Sequence, residues 1–259
     1  MESQPFLSVI IPCFNEADRL PDTLAILRDW LEVQTFSVEF VAVDDGSLDG
    51  TAKLLQAYVS KFAQSAEHQQ LAPGGAGQSS LKVISYAPNQ GKGQAVITGM
   101  LQSSGKWRLF MDADMSTPID QFAKFLPYMK EYEIVIGSRY LESESIKVMQ
   151  PMLRRWLSRG VNLLVKLVTG IRLRDTQCGF KLFSERAAKQ IFSKVIVQGW
   201  LFDVELLVLA KEQGLAVKEV AVDWFNAKQS KLRPVKITSQ ILQDLTRIHR
   251  RKKRGGYKT

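Results

Sequence analysis

Over roughly its first 140 residues the chain alternates short apolar runs with helical repeats, and this alternation limits the fold more than any other feature. Leu7–Pro12, Val38–Val43, Leu81–Tyr86, Trp107–Met111 and Glu133–Gly137 read as strands, rich in β-branched and aromatic residues and bounded by polar turns. After the first, Pro21 suits a first helical turn, and Leu24, Leu27 and Leu31 recur at helical spacing. Further helices are predicted over Gly50–Phe62, Gly91–Ser103 and Ile119–Tyr128. The polar run Ala63–Ser80, with Gly74, Gly75 and Gly77, reads as a flexible insertion. Strands alternating with helices specify an α/β fold, a mostly parallel sheet with helices on both faces. The 259 residues, 45% of them hydrophobic, suffice for one large domain or one domain with an elaboration.

Ligands of such sheets bind beyond the carboxyl ends of the strands. Here those ends carry Asn15-Glu16, Asp44-Asp45, Asn89-Gln90-Gly91-Lys92, and Asp112 with Asp114. The last pair follows the strand Trp107–Met111 in RLFMDADMSTP. Side chains alternate along a strand, so residues two apart point the same way. Two carboxylates so placed can close on one hard cation, Mg²⁺ or Mn²⁺, which keeps positions for water and substrate phosphates. The same residues suit a plain turn, with Ser116, Thr117 and Pro118 leading into a helix. No GxGxxG follows the first strand and no GxxxxGK[ST] occurs, which speaks against a dinucleotide site or a P-loop.

Beyond Arg139 the pattern changes. Met152–Thr169 is predicted as an amphipathic helix, with Arg155, Arg159, Asn162 and Lys166 on one stripe. Leu153, Trp156, Leu157, Leu164 and Leu167 cover its other side. Asp175 to Lys181 (DTQCGFK) reads as a polar loop entering a strand or turn. Trp200–Lys211 is a mostly apolar helix carrying Asp203 and Glu205, which face different directions because they are two positions apart. Val217–Trp224 is the last strand and Ile237–Ile248 the last helix, before the tail Arg250–Thr259.

The net charge of +9 is unevenly placed. Residues 146–174 hold seven Lys/Arg and no acid, and residues 247–258 hold seven more, again without an acid. Setting these 14 aside leaves 21 basic against 26 acidic residues, so two segments call for a polyanionic or membrane partner. A nucleic-acid-binding protein would use both. The first, however, interleaves its cations with Leu, Trp and Val on a helix, the pattern of an interfacial helix. No stretch approaches the roughly 18 apolar residues of a spanning helix. Met1–Pro5 is polar and the apolar run after it is short, so no signal peptide is expected. Cys13 and Cys178 lie outside any CxxC pair, which argues against zinc and disulfides and fits a reducing cytosol.

Seven segments, PCFNE (12–16), VDDGSLDGT (43–51), NQGKGQA (89–95), DADMSTP (112–118), GSRYL (137–141), DTQCGFKLF (175–183) and WLFDVELL (200–207), together resemble family 2 glycosyltransferases. Within that family they are similar to the dolichyl-phosphate β-glucosyltransferase branch and its bacterial polyprenyl-phosphate relatives. The resemblance spans about residues 6–245. It implies a GT-A fold over residues 1–227, a Rossmann-like sheet flanked by helices, followed by a C-terminal helix and basic tail over 228–259. It also implies a nucleotide-sugar donor, Mg²⁺ or Mn²⁺, and inversion at the anomeric carbon. Pro12, Phe14 and Glu16 would lie beside the nucleoside, and Asp44 and Asp45 would contact base and ribose. Lys92 would approach the phosphates or base. Asp112, Ala113 and Asp114 would meet the diphosphate, the two carboxylates through the metal. Glu16 and Asp45 are equally suited to helix capping. Related mannosyl-phosphate enzymes carry a Gln two residues beyond the second Asp; here it is Ser116, which leaves a third protein ligand open. Arg139 and Lys181 resemble the family's acceptor-side cations. Asp175 and Gln177 stay ambiguous. Of Asp203 and Glu205, at most one is expected at the reacting centre, the other bracing Arg or Lys side chains.

The histidines bear on mechanism. His68 and His249 are the only two, and neither is placed as a general base, so a Ser-His-Asp arrangement is excluded. A hydroxyl acceptor would then need a carboxylate base, whereas a phosphate monoester is already ionised near neutral pH. The expected reaction is metal-dependent, inverting transfer of a hexose, first of all glucose from UDP-glucose, to a polyprenyl or dolichyl phosphate. It is expected at the cytoplasmic face of a membrane, with 146–174 in the anionic interface and no nucleic-acid partner. Two alternatives stay open: a GDP-mannose donor, and a saccharide hydroxyl as acceptor.

Overall fold

The computed structural model describes residues 4–70, 79–142, 160, 164–225 and 234–257. Seven strands, β1 (Leu7–Cys13), β2 (Val38–Asp45), β3 (Ser80–Tyr86), β4 (Trp107–Met111), β5 (Ile134–Ser138), β6 (Phe180–Ser184) and β7 (Val217–Ala221), form one sheet. Their order is β3-β2-β1-β4-β6-β5-β7. Neighbours are parallel except at β6, which runs antiparallel to both β4 and β5.

Side-chain alternation divides the core between the two faces. Along β1, Val9 and Ile11 face one layer while Ile10 faces the other; along β2, Phe40 and Ala42 oppose Val41 and Val43. Helices α1 (Leu20–Glu32) and α2 (Thr51–Gln70) cover the first face. Helices α3 (Lys92–Gln102), α4 (Glu185–Phe192), α5 (Phe202–Glu212) and α6 (Pro234–Lys253) cover the second. Leu20, Leu24, Leu27 and Leu31 of α1 are fully buried, and each contributes about 1.5–3 kcal/mol of transfer free energy.

Several boundaries depart from the sequence expectations. Residues 63–70, expected in a flexible insertion, continue α2; residues 71–78 of that insertion lie outside the described residues. In place of a helix over Ile119–Tyr128 there are two 3₁₀ segments, Ile119–Lys124 and Leu126–Tyr128, separated by Phe125, and Pro127 at the start of the second has no backbone N–H to continue a helical ladder from the first. The last strand ends at Ala221, not Trp224. The last helix reaches Lys253 and absorbs the start of the expected tail, and Tyr257 is buried. The predicted helix Met152–Thr169 lies outside the described residues except for residue 160 and residues 164–169, which are helical. Among the described residues no helix is long and apolar enough to cross a membrane.

The loop Asp175–Lys181 enters strand β6, one of the two outcomes expected for it, whereas helix α4 is not anticipated from the sequence. Ser184 caps α4 by accepting a hydrogen bond from the Ala187 amide (3.1 Å), and Glu185 complements the helix dipole in the first turn. The reversal of β6 matters for function. Its amino end lies at the carboxyl ends of β4 and β5, with Phe180 opposite Met111, so DTQCG meets DADM.

Candidate active site

Local turns build the site at this edge. Asn15 adopts a left-handed conformation (φ 55°), donates its amide to Ser47 Oγ (2.8 Å) and accepts from the Leu48 amide (2.8 Å). The loops after β1 and β2 are thereby stitched together. Asp49 ends that stitch, accepting from the amides of Ala17 and Thr51 at the start of α2. At β4, Met115 is also left-handed (φ 53°), and Asp114 Oδ1 accepts from the Ser116 amide (2.9 Å). The carbonyl of Ala113 accepts from Thr23 Oγ1 (2.7 Å) and that of Ser116 from the Phe225 amide (2.8 Å). The turn between the two carboxylates is therefore held from α1 and from the segment after β7.

Asp112 and Asp114 keep 33% and 27% of their side chains exposed. Lys92, at the amino end of α3, forms an ion pair with Asp112 Oδ1. Burial works against the Lys92 charge, but Asp112, Asp203 and Asp114 outweigh it and raise the ammonium's pKa. On the other side of Asp112 lies Gly179, where a Cβ would stand 2.2 Å from Oδ2. Only a residue without a side chain leaves that carboxylate its place. Arg19 joins this group, 2.8 Å from Glu16 and 3.9 Å from Asp114.

Asp45 is buried beneath the neighbouring loop. Its carboxylate accepts from Asn89 Nδ2 (2.8 Å) and from the amides of Gln90 (2.7 Å) and Gly91 (2.8 Å). The carboxylate expected beside base or ribose, or in a helix cap, has oxygens that shape the 89–91 loop carrying Lys92. Asp44, also buried, accepts from the Ser47 amide (3.2 Å). Glu16 is paired with Arg19 instead of capping α1, whose first residue is Leu20. Pro12 lies at the end of β1, and Phe14 beyond it is 41% exposed at the same edge.

Lys181 departs further from expectation. Its side chain is fully buried, donating to the Cys178 carbonyl (2.6 Å) and to Asp203 Oδ1 (2.5 Å), with the Phe110 ring 5.3 Å away. The expected acceptor-side cation at the cleft surface is instead a buried counter-ion beneath it, because β6 alternation turns residue 181 into the α5 layer. Burial pushes the Asp203 carboxyl up, more strongly than Lys181 and Lys92 pull it down. Arg139 remains at the edge, donating to Asp175 through Nε (2.7 Å) and Nη2 (2.9 Å), with its guanidinium 5.3 Å from Tyr140 and 5.7 Å from Trp224. Asp175 also accepts from the amides of Arg139 (3.0 Å) and Gln177 (3.2 Å). Burial opposes the Asp175 charge, but Arg139 prevails and the carboxyl lies below its ordinary value.

Glu205 points away from this edge. It accepts from the amides of Ile196 (2.9 Å) and Val197 (2.7 Å), from Arg251 Nη1 (3.0 Å) and from the Tyr257 hydroxyl (2.7 Å). Cys178 is buried, its thiol pushed up to about 12 by burial, and Cys13 is likewise buried and free. Both are inert packing residues. The sequence reading missed Thr23, Arg19 and Gly179. Of these, only the glycine between Cys178 and Phe180 left a signal, a small residue inside an otherwise bulky run.

Among the described residues no group of three His, Cys, Asp or Glu is arranged to hold a metal. The donor set nonetheless fits Mg²⁺ or Mn²⁺, as two partly exposed hard carboxylates with further ligands left to water and a diphosphate. Ser116 is buried and tied into the turn through its backbone.

Residues 8–192 match the family description Glycosyl transferase family 2. The chain is 35% identical to dolichyl-phosphate β-glucosyltransferase of Dictyostelium discoideum, over 94% of this chain and 73% of that protein. It is 35% identical to the Homo sapiens dolichyl-phosphate β-glucosyltransferase, over 97% of this chain and 77% of that protein. In fold it matches a crystal structure of glucosyl-3-phosphoglycerate synthase from Mycobacterium tuberculosis in complex with Mn²⁺, UDP-glucose and phosphoglyceric acid. That match has a TM-score of 0.62 at 17% identity and covers 95% of this chain and 78% of the other. A sheet of this order with helices on both faces and a DxD turn at the carboxyl end of β4 is the GT-A arrangement, and the chain belongs to glycosyltransferase family 2.

Proposed function

We propose that this glycosyltransferase moves glucose from UDP-glucose, with inversion at the anomeric carbon, to a polyprenyl phosphate of the dolichyl phosphate type at the cytoplasmic face of a membrane. The observation that carries the reading is the engagement of its carboxylates. Asp175, Asp203 and Glu205 are each buried and bound to a cation or to backbone amides, while Asp112 and Asp114 stay partly exposed at the strand end. A saccharide hydroxyl would need one of the first three to take its proton. A phosphate monoester arrives ionised. One of its oxygens attacks the anomeric carbon, the bond from that carbon to the diphosphate oxygen breaks, and UDP leaves with the electron pair. No proton has to move.

The chain's own residues then bind and orient. Phe14, Glu16 and Asp44 border the nucleoside, and Lys92, held charged by its acidic neighbours, faces the diphosphate. Mg²⁺ or Mn²⁺ held by Asp112 and Asp114 would neutralise charge on the leaving diphosphate. Arg139, braced by Asp175, offers the acceptor phosphate a charge-assisted contact, roughly twice as strong as a neutral hydrogen bond. The glucose and the lipid are supported by relatives named dolichyl-phosphate β-glucosyltransferase in animals, yeast and Dictyostelium. The basic segment 146–174 suits an anionic bilayer surface.

A donor screen tests this reading: UDP- and GDP-sugars, with and without Mn²⁺, with a polyprenyl phosphate or a saccharide as acceptor. Glucosyl phospholipid formed only from UDP-glucose and metal is the expected product. Transfer to a saccharide with none to the lipid phosphate would overturn the acceptor, and preference for GDP-mannose would overturn the donor.

A further inference from the structure

The buried carboxylate of Glu205 joins two parts of the chain that are far apart in sequence. Two of its four partners come from the C-terminus, Arg251 at the end of α6 and Tyr257 beyond it. Burial and the Glu205 charge raise the Tyr257 pKa, so its hydroxyl remains a donor. The Arg251 guanidinium lies 4.6 Å from the Tyr257 ring and also donates to the Lys194 carbonyl (2.7 Å). The other two partners are the amides of Ile196 and Val197.

The next residue, Gln198, rests directly on the lysine loop. Its carbonyl accepts from the Gly93 amide (2.9 Å), and its side chain donates to Gln94 Oε1 (2.8 Å). A Cβ at Gly91 or Gly93 would stand 2.9 or 2.6 Å from that carbonyl, so both glycines are needed for the approach. Lys92, between them, pairs with Asp112. A continuous line of contacts thus runs from the Tyr257 hydroxyl through Glu205, Val197, Gln198 and Gly93 to Lys92. We propose that Tyr257 and Arg251 are positioning residues, which set the 89–93 loop, and with it Lys92, through Glu205 and the 196–198 segment. This rests on the reading of that loop as a donor-phosphate element.

The basic C-terminus is then part of the site's scaffold and not only a charged tail. Substrate need not touch either residue for nucleotide affinity to depend on them. The test is Tyr257→Phe, which keeps the ring and removes only the hydroxyl, compared with wild type and with Lys252→Ala. Lys252 also anchors α6, to the Thr169 carbonyl (2.7 Å) and Glu212 (3.5 Å), but does not touch Glu205. Amide exchange is followed at Gly93 and along β1, and UDP affinity is measured with Mn²⁺ by calorimetry. In Tyr257→Phe, Gly93 is expected to exchange faster while β1 is unchanged, and the UDP Kd to rise about threefold to tenfold. Lys252→Ala should leave both readouts at wild-type values. Unchanged Gly93 exchange in Tyr257→Phe overturns the proposal, as does an equal effect of Lys252→Ala. If wild type binds no UDP, the donor reading fails, and the Gly93 exchange comparison still decides the positioning claim.

Discussion

The ammonium of Lys92, at the start of α3, is paired with Asp112, one helix–strand unit later, at the point where the first DxD carboxylate emerges from β4. Asp112 thus has a lysine on one side and the bare backbone of Gly179 on the other. Its orientation is set before any substrate arrives, which lowers the reorganisation needed at the reacting centre.

Asp114→Asn should abolish transfer and leave the fold intact. The residue is partly exposed and its Oδ1 accepts a backbone hydrogen bond that an amide oxygen can also accept. Loss of one metal-ligand charge should cost about 3 kcal/mol or more of transition-state stabilisation. Turnover assays beside thermal melts check this; full activity in the folded variant, or in EDTA, would refute the metal assignment.

Gly179→Ala should displace Asp112, because the new Cβ would meet that carboxylate at 2.2 Å. We expect weaker Mn²⁺ binding in the presence of UDP and a stability loss of about 1–3 kcal/mol, the usual cost of overpacking. Calorimetric titration of Mn²⁺ reads the first effect. Wild-type affinity would show that Asp112 has room to move without consequence.

Lys181→Ala is expected to act on stability before it acts on acceptor binding. It strands the Asp203 carboxylate in the core, and breaking a buried pair in this way costs about 3–5 kcal/mol. Pairing Lys181→Met with Asp203→Asn should recover much of the loss. Urea denaturation of the single and double variants distinguishes this from a direct contact with lipid phosphate, which would raise the acceptor KM and leave stability alone.

The Asp175–Arg139 pair makes stability depend on pH. Because the folded carboxyl lies below its unfolded value of about 4, its contribution is present above that pH and disappears as the pH falls through the lower, folded value. Asp175→Asn should therefore be less stable than wild type near neutrality, with the difference shrinking in acid. Denaturation midpoints of both proteins between about pH 6 and pH 3 supply the comparison. A pH-independent difference would mean the pair contributes no linked protonation.

On the proposed membrane reading, Trp156→Ser with Leu157→Ser should lower sedimentation with anionic vesicles. Each Arg or Lys near such a surface adds about 1 kcal/mol, so binding should also weaken with salt. Unchanged binding would assign these residues to the protein's interior.

Much of this protein was written locally. Short apolar runs bounded by polar turns determine β1, β2 and β4, and leucines at helical spacing determine α1, because run length and spacing are read within a few residues. The polar ends of those strands marked one edge of the sheet, since parallel strands all deliver their carboxyl ends to the same side. What the tertiary structure alone decided is which charges are compensated and which stay accessible. Lys181 and Asp203 are 22 positions apart, and only the antiparallel entry of β6 buries the lysine against α5. Asp45 looked like a ligand-facing carboxylate, yet the return of the chain at residues 89–91 takes up its oxygens. Asp203 and Glu205 share one helix turn, but one lies under the DxD turn and the other holds Tyr257. A carboxylate's role depends on its solvation and its partners, and those are fixed by contacts between residues distant in sequence.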